Sequence, residues 1–284
     1  VAVPDLGRIR ENIARARLDC SWGPNNRFRF PRVGGTGSIW RNMAAMLPAD
    51  RLHFSAEARA INAGRRRLTL ADGRTVDYDV LISSIPLDTL LAMTGDAPRN
   101  GGRFLSSASN IFSVGLRGAP PEALRKKCWM YYPEPEYPFY RVTVFSNYSP
   151  RNVPGEGYWS LMAEVADSPH RPVDHAGLRG QVIDGLVRAG HIEDLQAIVS
   201  VWQMRVDPGY PTPFLGRDAL VDPALERLQH EGIYSRGRFG AWKYEVSNQD
   251  HSFMQGVEAV DHILEGRKEL TVYQPDLVNT QRTR

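Results

Sequence analysis

Apolar residues recur every three or four positions in several stretches of the chain, and this spacing predicts amphipathic helices. The predicted helices cover residues 5–18, 39–47, 87–93, 175–189, 223–229 and 249–265. In the first of them, Leu6, Ile9 and Ile13 lie near one face and Asp5 is placed to cap the N-terminus. We interpret it as a helix that packs through this apolar face.

Alternating apolar positions between residues 51 and 85 predict a meander of short strands. The strands cover residues 52–54, 58–61, 67–70 and 75–78. Asp72-Gly73 between two of them is typical of a hairpin turn. The apolar run over residues 80–85 ends at Pro86 and precedes a predicted helix. This arrangement favours a buried strand of a parallel sheet.

Strand-like segments recur between residues 104 and 206 with one predicted helix among them. They cover residues 110–116, 128–132, 140–145, 158–164 and 198–206. This pattern predicts a second, largely antiparallel domain. The following segment, residues 207–217, has three prolines, which predict a rigid loop that fixes Tyr210.

The segment over residues 232–256 combines a predicted strand, 233–235, with a loop and the start of a helix near Asn248. A helix N-terminus favours anions, and Arg236 and Arg238 on the approach suit a phosphorylated ligand. An ordinary turn with solvated arginines fits the same residues equally well.

Two shorter segments also suit an anionic ligand. Arg29 lies between Phe28 and Phe30 in a predicted short strand over residues 28–31, which would give its side chain a fixed direction. An exposed strand arginine is the simpler interpretation. The glycine-rich turn over residues 33–38 lets another backbone or a flat ring approach closely, but it matches neither standard phosphate-binding motif.

Composition narrows the class of protein. A 284-residue chain that is 42% hydrophobic is long enough for a sizeable core. Its apolar runs are too short for a membrane span, and no secretory signal opens the sequence. A net charge of +3 gives no support for nucleic-acid binding. Cys20 and Cys128 have no metal-ligand or disulfide spacing, which fits a reducing cytoplasm.

Other ionisable residues do not form a recognisable catalytic group. Asp250 and His251 are adjacent, but we favour helix capping with cofactor contact over a catalytic dyad. Glu164 and Glu245 could serve as general acids, and neither is assigned that role. The remaining histidines of loops and helix ends are expected at the surface: His170, His175, His191 and His230.

Four segments together resemble one family, the eukaryotic-type UDP-galactopyranose mutases. They are WGPNNRFRFPRVGGTGSIW (22–40), KCWMYYPEPEYPFYRVTVFSNYSP (127–150), DPGYPTPFL (207–215) and SRGRFGAWKYEVSNQDHSFMQGVEAVD (235–261). The resemblance runs over nearly the whole chain in the same order. It is therefore much more specific than any single motif above.

The resemblance implies an α/β (α+β) fold, in which part of a doubly wound FAD-binding domain is joined to a largely antiparallel substrate domain. The implied segments are the end of a helical domain (1–21), part of the FAD-binding domain (22–103), the antiparallel sheet domain (104–217), a C-terminal FAD-binding segment (218–266) and a tail (267–284). The family's N-terminal FAD pyrophosphate loop has no counterpart here. We therefore expect this chain alone neither to bind FAD tightly nor to turn over.

The resemblance also implies the reaction. These flavoenzymes interconvert UDP-galactopyranose and UDP-galactofuranose through an adduct between flavin N5 and the sugar. FAD is active in its reduced form, and NADPH or NADH is the reductant. No nucleic-acid or membrane partner is implied, and a homo-oligomer is left open.

Residue roles follow by matching motifs. Arg29 and Arg141 match the catalytic pair that grips the UDP diphosphate. The remaining substrate-binding positions are Tyr131, Tyr210, Tyr244 and Asn248. The cofactor-binding positions are Gly34, Gly35, Gly37, Arg238, Asn248, Gln249, Asp250, His251 and Ser252.

Two alternatives remain. Amine oxidases and protoporphyrinogen-oxidase-like enzymes share the broad fold, but an apolar amine pocket would need neither the arginine pair nor the tyrosines. A partial chain with only a binding or assembly role is the second alternative. Loss of UDP binding on Arg141→Ala would favour the mutase over the oxidases.

Overall fold

The computed structural model describes residues 5–17, 28–96 and 104–280. The α-helices within these ranges are α1 (Leu6–Ala14), α2 (Gly35–Ala45), α3 (Leu87–Met93), α4 (Leu178–Arg188), α5 (Arg217–His230), α6 (Gln249–Glu265), α7 (Leu270–Tyr273) and α8 (Pro275–Thr280). The strands are β1 (Ala58–Asn62), β2 (Arg67–Leu70), β3 (Thr75–Asp77), β4 (Leu81–Ser83), β5 (Ser106–Arg117), β6 (Trp129–Tyr131), β7 (Arg141–Val144), β8 (Tyr158–Asp167), β9 (Ile198–Pro211) and β10 (Ile233–Ser235).

The chain forms two compact units, each described separately below. The sheet unit comprises Phe30–Ala56 and Phe104–Phe214. The helix–strand unit comprises Val1–Arg29, Glu57–Arg103 and Leu215–Arg284.

The sheet unit is built on an antiparallel sheet of five strands in the order β6-β7-β8-β5-β9. Val142, Ala163 and Phe112 lie opposite one another on three adjacent strands and are fully buried. Side chains directly opposite in neighbouring strands share a face of the sheet. This face is therefore the apolar one, and α4 contributes Leu178, Val182 and Leu186 to the same core.

The opposite face of this sheet carries polar and aromatic side chains. The ring of Phe30 packs edge-on against Tyr148, with centroids 5.0 Å apart, and Tyr148 packs edge-on against Trp129. The Ser149 hydroxyl donates a hydrogen bond of 2.6 Å to the Arg32 carbonyl. These contacts hold the segment that begins at Phe30 against the sheet.

The helix–strand unit contains a three-stranded antiparallel sheet, β1-β2-β3, and a parallel pair, β4 and β10. Ile233 and Ser235 in β10 are fully buried, as are Val221 and Leu225 of α5. The parallel pairing confirms the strand predicted for the apolar run that ends at Pro86, but its predicted burial is wrong, because Val80 and Ile82 are 41% and 45% exposed.

Several predicted elements are confirmed closely. The structure has α3 and α6 over the residues expected for them and β10 over residues 233–235. The Asp5 carboxylate accepts a 3.0 Å hydrogen bond from the Arg8 backbone N–H, as expected of an N-cap. None of the α1 residues is buried, so the packing predicted for its apolar face is not seen within the described residues.

Other predicted elements are wrong. Residues 28–31 do not form a strand, because Phe30 is held by ring contacts and Phe28 is 41% exposed. Residues 52–54 are not a strand either, because the chain there leaves a short 3-10 turn and Phe54 projects into solvent. Residues 207–211 extend β9 and are not part of a loop.

The tail that begins at residue 267 contains α7 and α8. Glu258 anchors α7, because its carboxylate accepts hydrogen bonds from the Thr271 backbone N–H at 2.8 Å and hydroxyl at 2.9 Å. Among the described helices, none is long and apolar enough to cross a membrane.

Candidate functional site

Tyr131, Arg141 and Glu164 form a row across three strands of the sheet unit. Tyr131 lies opposite Arg141 in the β6–β7 pair, and Arg141 lies opposite Glu164 in the β7–β8 pair. All three side chains therefore project from the polar face of the sheet. Tyr131 is the most accessible of them, with 66% of its surface exposed.

The Arg141 guanidinium is held in one orientation by its neighbours. Nε and Nη2 both donate to the Glu164 carboxylate, the Nη2–Oε1 distance being 2.7 Å. Nη2 also lies 3.5 Å from the Tyr210 hydroxyl. Among the described residues, Nη1 has no hydrogen-bond acceptor. One end of the guanidinium is thus fixed, and the other is left for a ligand.

Burial and charge make Arg141 a permanent cation. Burial by itself lowers the pKa of Arg141, but the neighbouring Glu164 carboxylate raises it by more, so the net pKa lies above its usual value. Burial, and then the negative charge of Glu164, raise the pKa of the Tyr140 phenol. Both groups therefore stay protonated at neutral pH, with the Tyr140 hydroxyl 3.3 Å from Glu164 Oε1.

Tyr210 reaches this row from the far edge of the sheet. It pairs with Ser107 of β5, and the β5–β9 register shifts between Ser107 and Ser109. This irregularity adds residues to β9 between the paired positions, and the Tyr210 hydroxyl lies 3.5 Å from Arg141 Nη2. The structure thus brings together Arg141 and Tyr210, two residues predicted on separate motifs.

The glycine turn opens α2 in the same unit. Gly34 and Gly35 have φ values of 79° and 63°, in the left-handed region that favours glycine. A Cβ at Gly34 would approach the Ser38 Cβ to 2.9 Å, whereas a Cβ at Gly35 would have no heavy atom closer than 3.9 Å. Gly37 follows in the first turn of α2. The turn therefore presents bare backbone on the side of Gly35.

Five predicted cofactor residues of the helix–strand unit are consecutive at the start of α6. Asn248 is the N-cap and makes no capping hydrogen bond through its side chain. His251, in the first turn, is 4% exposed, and neither ring nitrogen has a partner among the described residues. Burial lowers the pKa of His251, so the ring is neutral at neutral pH. Gln249, Asp250 and Ser252 complete the group.

The loop before α6 separates two arginines that the sequence analysis grouped together. Arg238 is half-buried, whereas Arg236 is buried and therefore cannot contact a ligand as predicted. Its Nε and Nη2 donate to Glu269 at 2.5 and 2.6 Å, and Nη2 also donates to Gln229 at 2.9 Å. The correction follows from this closed set of internal acceptors.

Tyr244 is placed by an ion pair that the sequence analysis missed. Its neighbour Glu245 accepts hydrogen bonds of 2.6 Å from both terminal nitrogens of Arg217. Burial by itself raises the pKa of Glu245, but the Arg217 hydrogen bonds lower it by more. Glu245 is therefore ionised and supports the loop, while Tyr244 remains 43% exposed.

The prediction for Arg29 stays untested, whereas the surface position expected for His191 is wrong. Arg29 is exposed and lies outside any regular element, so its role stays a prediction. His191 was expected at the surface but is 7% exposed, because its Nε2 shares a hydrogen bond with the Tyr132 hydroxyl. Burial, followed by the charge of Lys127, lowers the pKa of His191 to about 4.

The start of α6 in the helix–strand unit offers polar groups that suit a flavin. The Asn248 side chain does not cap α6, and the buried His251 ring has no partner among the described residues. The backbone N–H groups of the helix start and this imidazole can therefore form hydrogen bonds with a phosphate or with the polar edge of a ring. In the sheet unit, a Cβ at Gly35 would meet no heavy atom closer than 3.9 Å, so the backbone there is open on that side. Among the described residues, no cluster of three or more side chains could hold a metal ion.

Comparison with known proteins gives the family. The model of the flavin containing amine oxidoreductases matches residues 6–264. A crystal structure of reduced UDP-galactopyranose mutase is 48% identical, with a TM-score of 0.91, and the match covers 99% of this chain. The match spans 61% of that mutase chain. The resemblance to the mutases that the sequence indicated is thereby confirmed.

A second solved structure shows only the fold. A protein from Exiguobacterium sp. 255-15, described as a protoporphyrinogen oxidase, is 17% identical, with a TM-score of 0.56. The match covers 70% of this chain and 45% of that chain. The mixed helix and sheet architecture, with its antiparallel sheet, agrees with the predicted fold class. Because the family model matches most of its length, this chain belongs to the flavin containing amine oxidoreductase family.

Proposed function

We propose that this chain carries the substrate-binding residues of a flavin-dependent isomerase that interconverts UDP-galactopyranose and UDP-galactofuranose. The observation that carries the proposal is the orientation of Arg141, whose Nη1 end has no protein acceptor. An amine substrate would not need such a cation. The similarity to UDP-galactopyranose mutase supports a diphosphate as the group that it binds.

Arg141, together with Arg29, binds the diphosphate of the UDP-sugar and stabilises the charge on UDP as it leaves. Tyr210 and Tyr131 line the binding site of the same ligand on the polar face of the sheet. Tyr244 and Asn248 are assigned a substrate-binding role by the similarity to the mutase alone. Glu164 and Glu245 are hydrogen-bonded partners of arginines, and neither is assigned a proton transfer.

In the helix–strand unit, the start of α6, from Asn248 to Ser252, and Arg238 would hold FAD. In the sheet unit, the glycine turn at Gly34, Gly35 and Gly37 is assigned a cofactor-binding role by the similarity to the mutase. When bound and reduced, the flavin supplies the nucleophile for the anomeric carbon of the sugar. NADPH or NADH is the proposed reductant. His251 provides a neutral imidazole beside the helix N-terminus, where its ring nitrogens can accept or donate a hydrogen bond.

The test is an assay of the full-length product of the gene, loaded with FAD and reduced chemically without oxygen. We expect UDP-galactofuranose to be converted into UDP-galactopyranose, detected by liquid chromatography. Absence of conversion by a reduced, FAD-loaded protein that binds UDP would contradict the proposal. In a second assay, with oxidised FAD in air, reduction of the flavin by an amine and release of peroxide as oxygen reoxidises it would support the amine oxidase alternative.

A further inference from the structure

We propose that Glu164 is a positioning residue, which aims the phosphate-binding end of Arg141. This inference rests on the proposed function, because it assumes that Arg141 binds the diphosphate of a UDP-sugar. It assigns to Glu164 neither contact with substrate nor transfer of a proton.

Glu164 occupies one edge of the Arg141 guanidinium. Its carboxylate accepts hydrogen bonds from Nε and Nη2, and the Tyr210 hydroxyl lies near the same Nη2. A bidentate carboxylate contact fixes the plane of a guanidinium as well as its position. The two N–H groups of Nη1 are then directed away from the carboxylate. Their direction is set before any ligand arrives.

Glu164 itself is held in place by its neighbours. It is 5% exposed, and its carboxylate accepts hydrogen bonds from Arg141 and from the Tyr140 hydroxyl. Its backbone carbonyl accepts a 3.0 Å hydrogen bond from the Tyr140 N–H. A carboxylate with both oxygens engaged by a guanidinium and a phenol is held in one orientation. It is therefore a fixed support for Arg141.

The Glu164 carboxylate lies beside an arginine that is proposed to bind a diphosphate. A carboxylate beside a phosphate-binding arginine weakens the positive field that attracts a diphosphate. A site selected only for positive charge would have no acidic residue here. The presence of Glu164 indicates that the direction of Arg141 matters more for binding a leaving diphosphate than its full charge.

A charge effect and a positioning effect of Glu164 predict opposite changes in UDP affinity for Glu164→Gln. If Glu164 acts only through its charge, Glu164→Gln should tighten UDP binding and Glu164→Asp should leave it unchanged. If Glu164 positions Arg141, both variants should weaken UDP binding by about tenfold or more, because the amide repels the guanidinium N–H groups and the shorter Asp loses the bidentate contact. Tyr140→Phe removes only one support and should give a smaller loss.

The experiment measures the affinity of each variant for UDP and for uridine by calorimetry. Uridine lacks the phosphates, so its affinity should not change in any variant. Glu156→Gln makes the same chemical change at an exposed glutamate of the sheet unit and is the control. In an Arg141→Lys background, Glu164→Gln should cause no further loss. Equal losses for UDP and uridine, or additive losses in the double variant, would overturn the proposal.

A spectroscopic signal separates this inference from the proposed function. The Nε proton of Arg141 should be protected and visible in a proton–nitrogen NMR spectrum of the wild type, and it should disappear in Glu164→Gln. Failure of the wild type to bind UDP would contradict the proposed function but leave this signal to be read. An unprotected Nε proton in the wild type would overturn the positioning role.

Discussion

Arg236 in the helix–strand unit and Arg141 in the sheet unit are each paired with a glutamate through Nε and Nη2, but the two pairs differ in what they leave open. In the helix–strand unit, the side chains of Arg236 and Glu269 are 3% and 1% exposed. In the sheet unit, the side chains of Arg141 and Glu164 are 22% and 6% exposed. Arg236 also donates from Nη1 to the Ser235 carbonyl, whereas Nη1 of Arg141 has no acceptor among the described residues.

The difference shows that an arginine is assigned to a ligand by its unused donors. Arg236 donates hydrogen bonds to Glu269, to Gln229 and to the Ser235 carbonyl. The ring centroids of Tyr234 and Tyr273 lie 5.4 and 5.8 Å from its guanidinium carbon. It ties the C-terminal segment to β10 and has a structural role. Arg141 has one fixed edge and one open end, as a phosphate-binding residue requires.

The largest expected effect is on stability in the helix–strand unit. Glu269→Gln leaves Arg236 as a buried charge without its partner, which should lower the free energy of unfolding by about 3–5 kcal/mol. Urea unfolding followed by fluorescence measures this loss. The double replacement Arg236→Met with Glu269→Leu should recover much of it, because both charges are then removed. A loss below about 1 kcal/mol, typical of surface pairs, would erase the distinction between the two pairs.

The next effect tests a buried ionisable group that has no opposite charge. The folded-state pKa of His191 is about 4, below its ordinary value, so the unfolded state takes up a proton first as the pH falls. Its contribution to stability is complete above about pH 6.5 and is lost progressively towards pH 4, by up to about 3 kcal/mol. His191→Gln should flatten the dependence of urea stability on pH in this window. His170→Gln, at an exposed histidine, should leave that dependence unchanged.

A smaller free energy is expected for ligand binding in the sheet unit. Arg141→Lys keeps the charge but loses the planar, two-pronged contact, so UDP affinity should fall by about tenfold to a hundredfold. Arg236→Lys is the matched variant, and its folded fraction should bind UDP as the wild type does. Calorimetry on both variants measures the contrast. Equal losses in UDP affinity would show that the two arginines do not differ in function.

The smallest effect is expected for an exposed pair with similar geometry. Arg67 donates through Nε and Nη2 to Asp77 at 2.5 and 2.8 Å, but both side chains are exposed to solvent. Water and salt screen such a pair, so Arg67→Ala should leave the urea midpoint within experimental error of the wild type. A large shift would mean that two hydrogen bonds, rather than burial, determine the strength of these pairs.

Local pattern was sufficient for much of the fold. The bounds of α3 and α6 and the parallel strand at residues 81–83 followed from apolar spacing and from proline and glycine positions. The segment at residues 28–31 failed because alternation of aromatic residues does not specify a pairing partner. Its position is set by ring contacts with residues more than one hundred positions away.

The candidate site was predictable only in part, for the same reason. The resemblance selected Arg141 and Tyr210, and the structure places them in contact. It did not select Glu164, which lies 23 positions from Arg141 and meets it through strand register. The residue pattern alone could not tell Arg236 from Arg238, because Glu269, which accepts the hydrogen bonds of Arg236, lies 33 positions away in a segment without clear periodicity.

The most direct test of the central claim is a crystal structure of the protein with UDP bound. We expect a diphosphate oxygen within hydrogen-bond distance of Arg141 Nη1, while Nε and Nη2 remain on Glu164. A diphosphate bound away from Arg141, or an Arg141 side chain turned from Glu164 to reach it, would contradict the account.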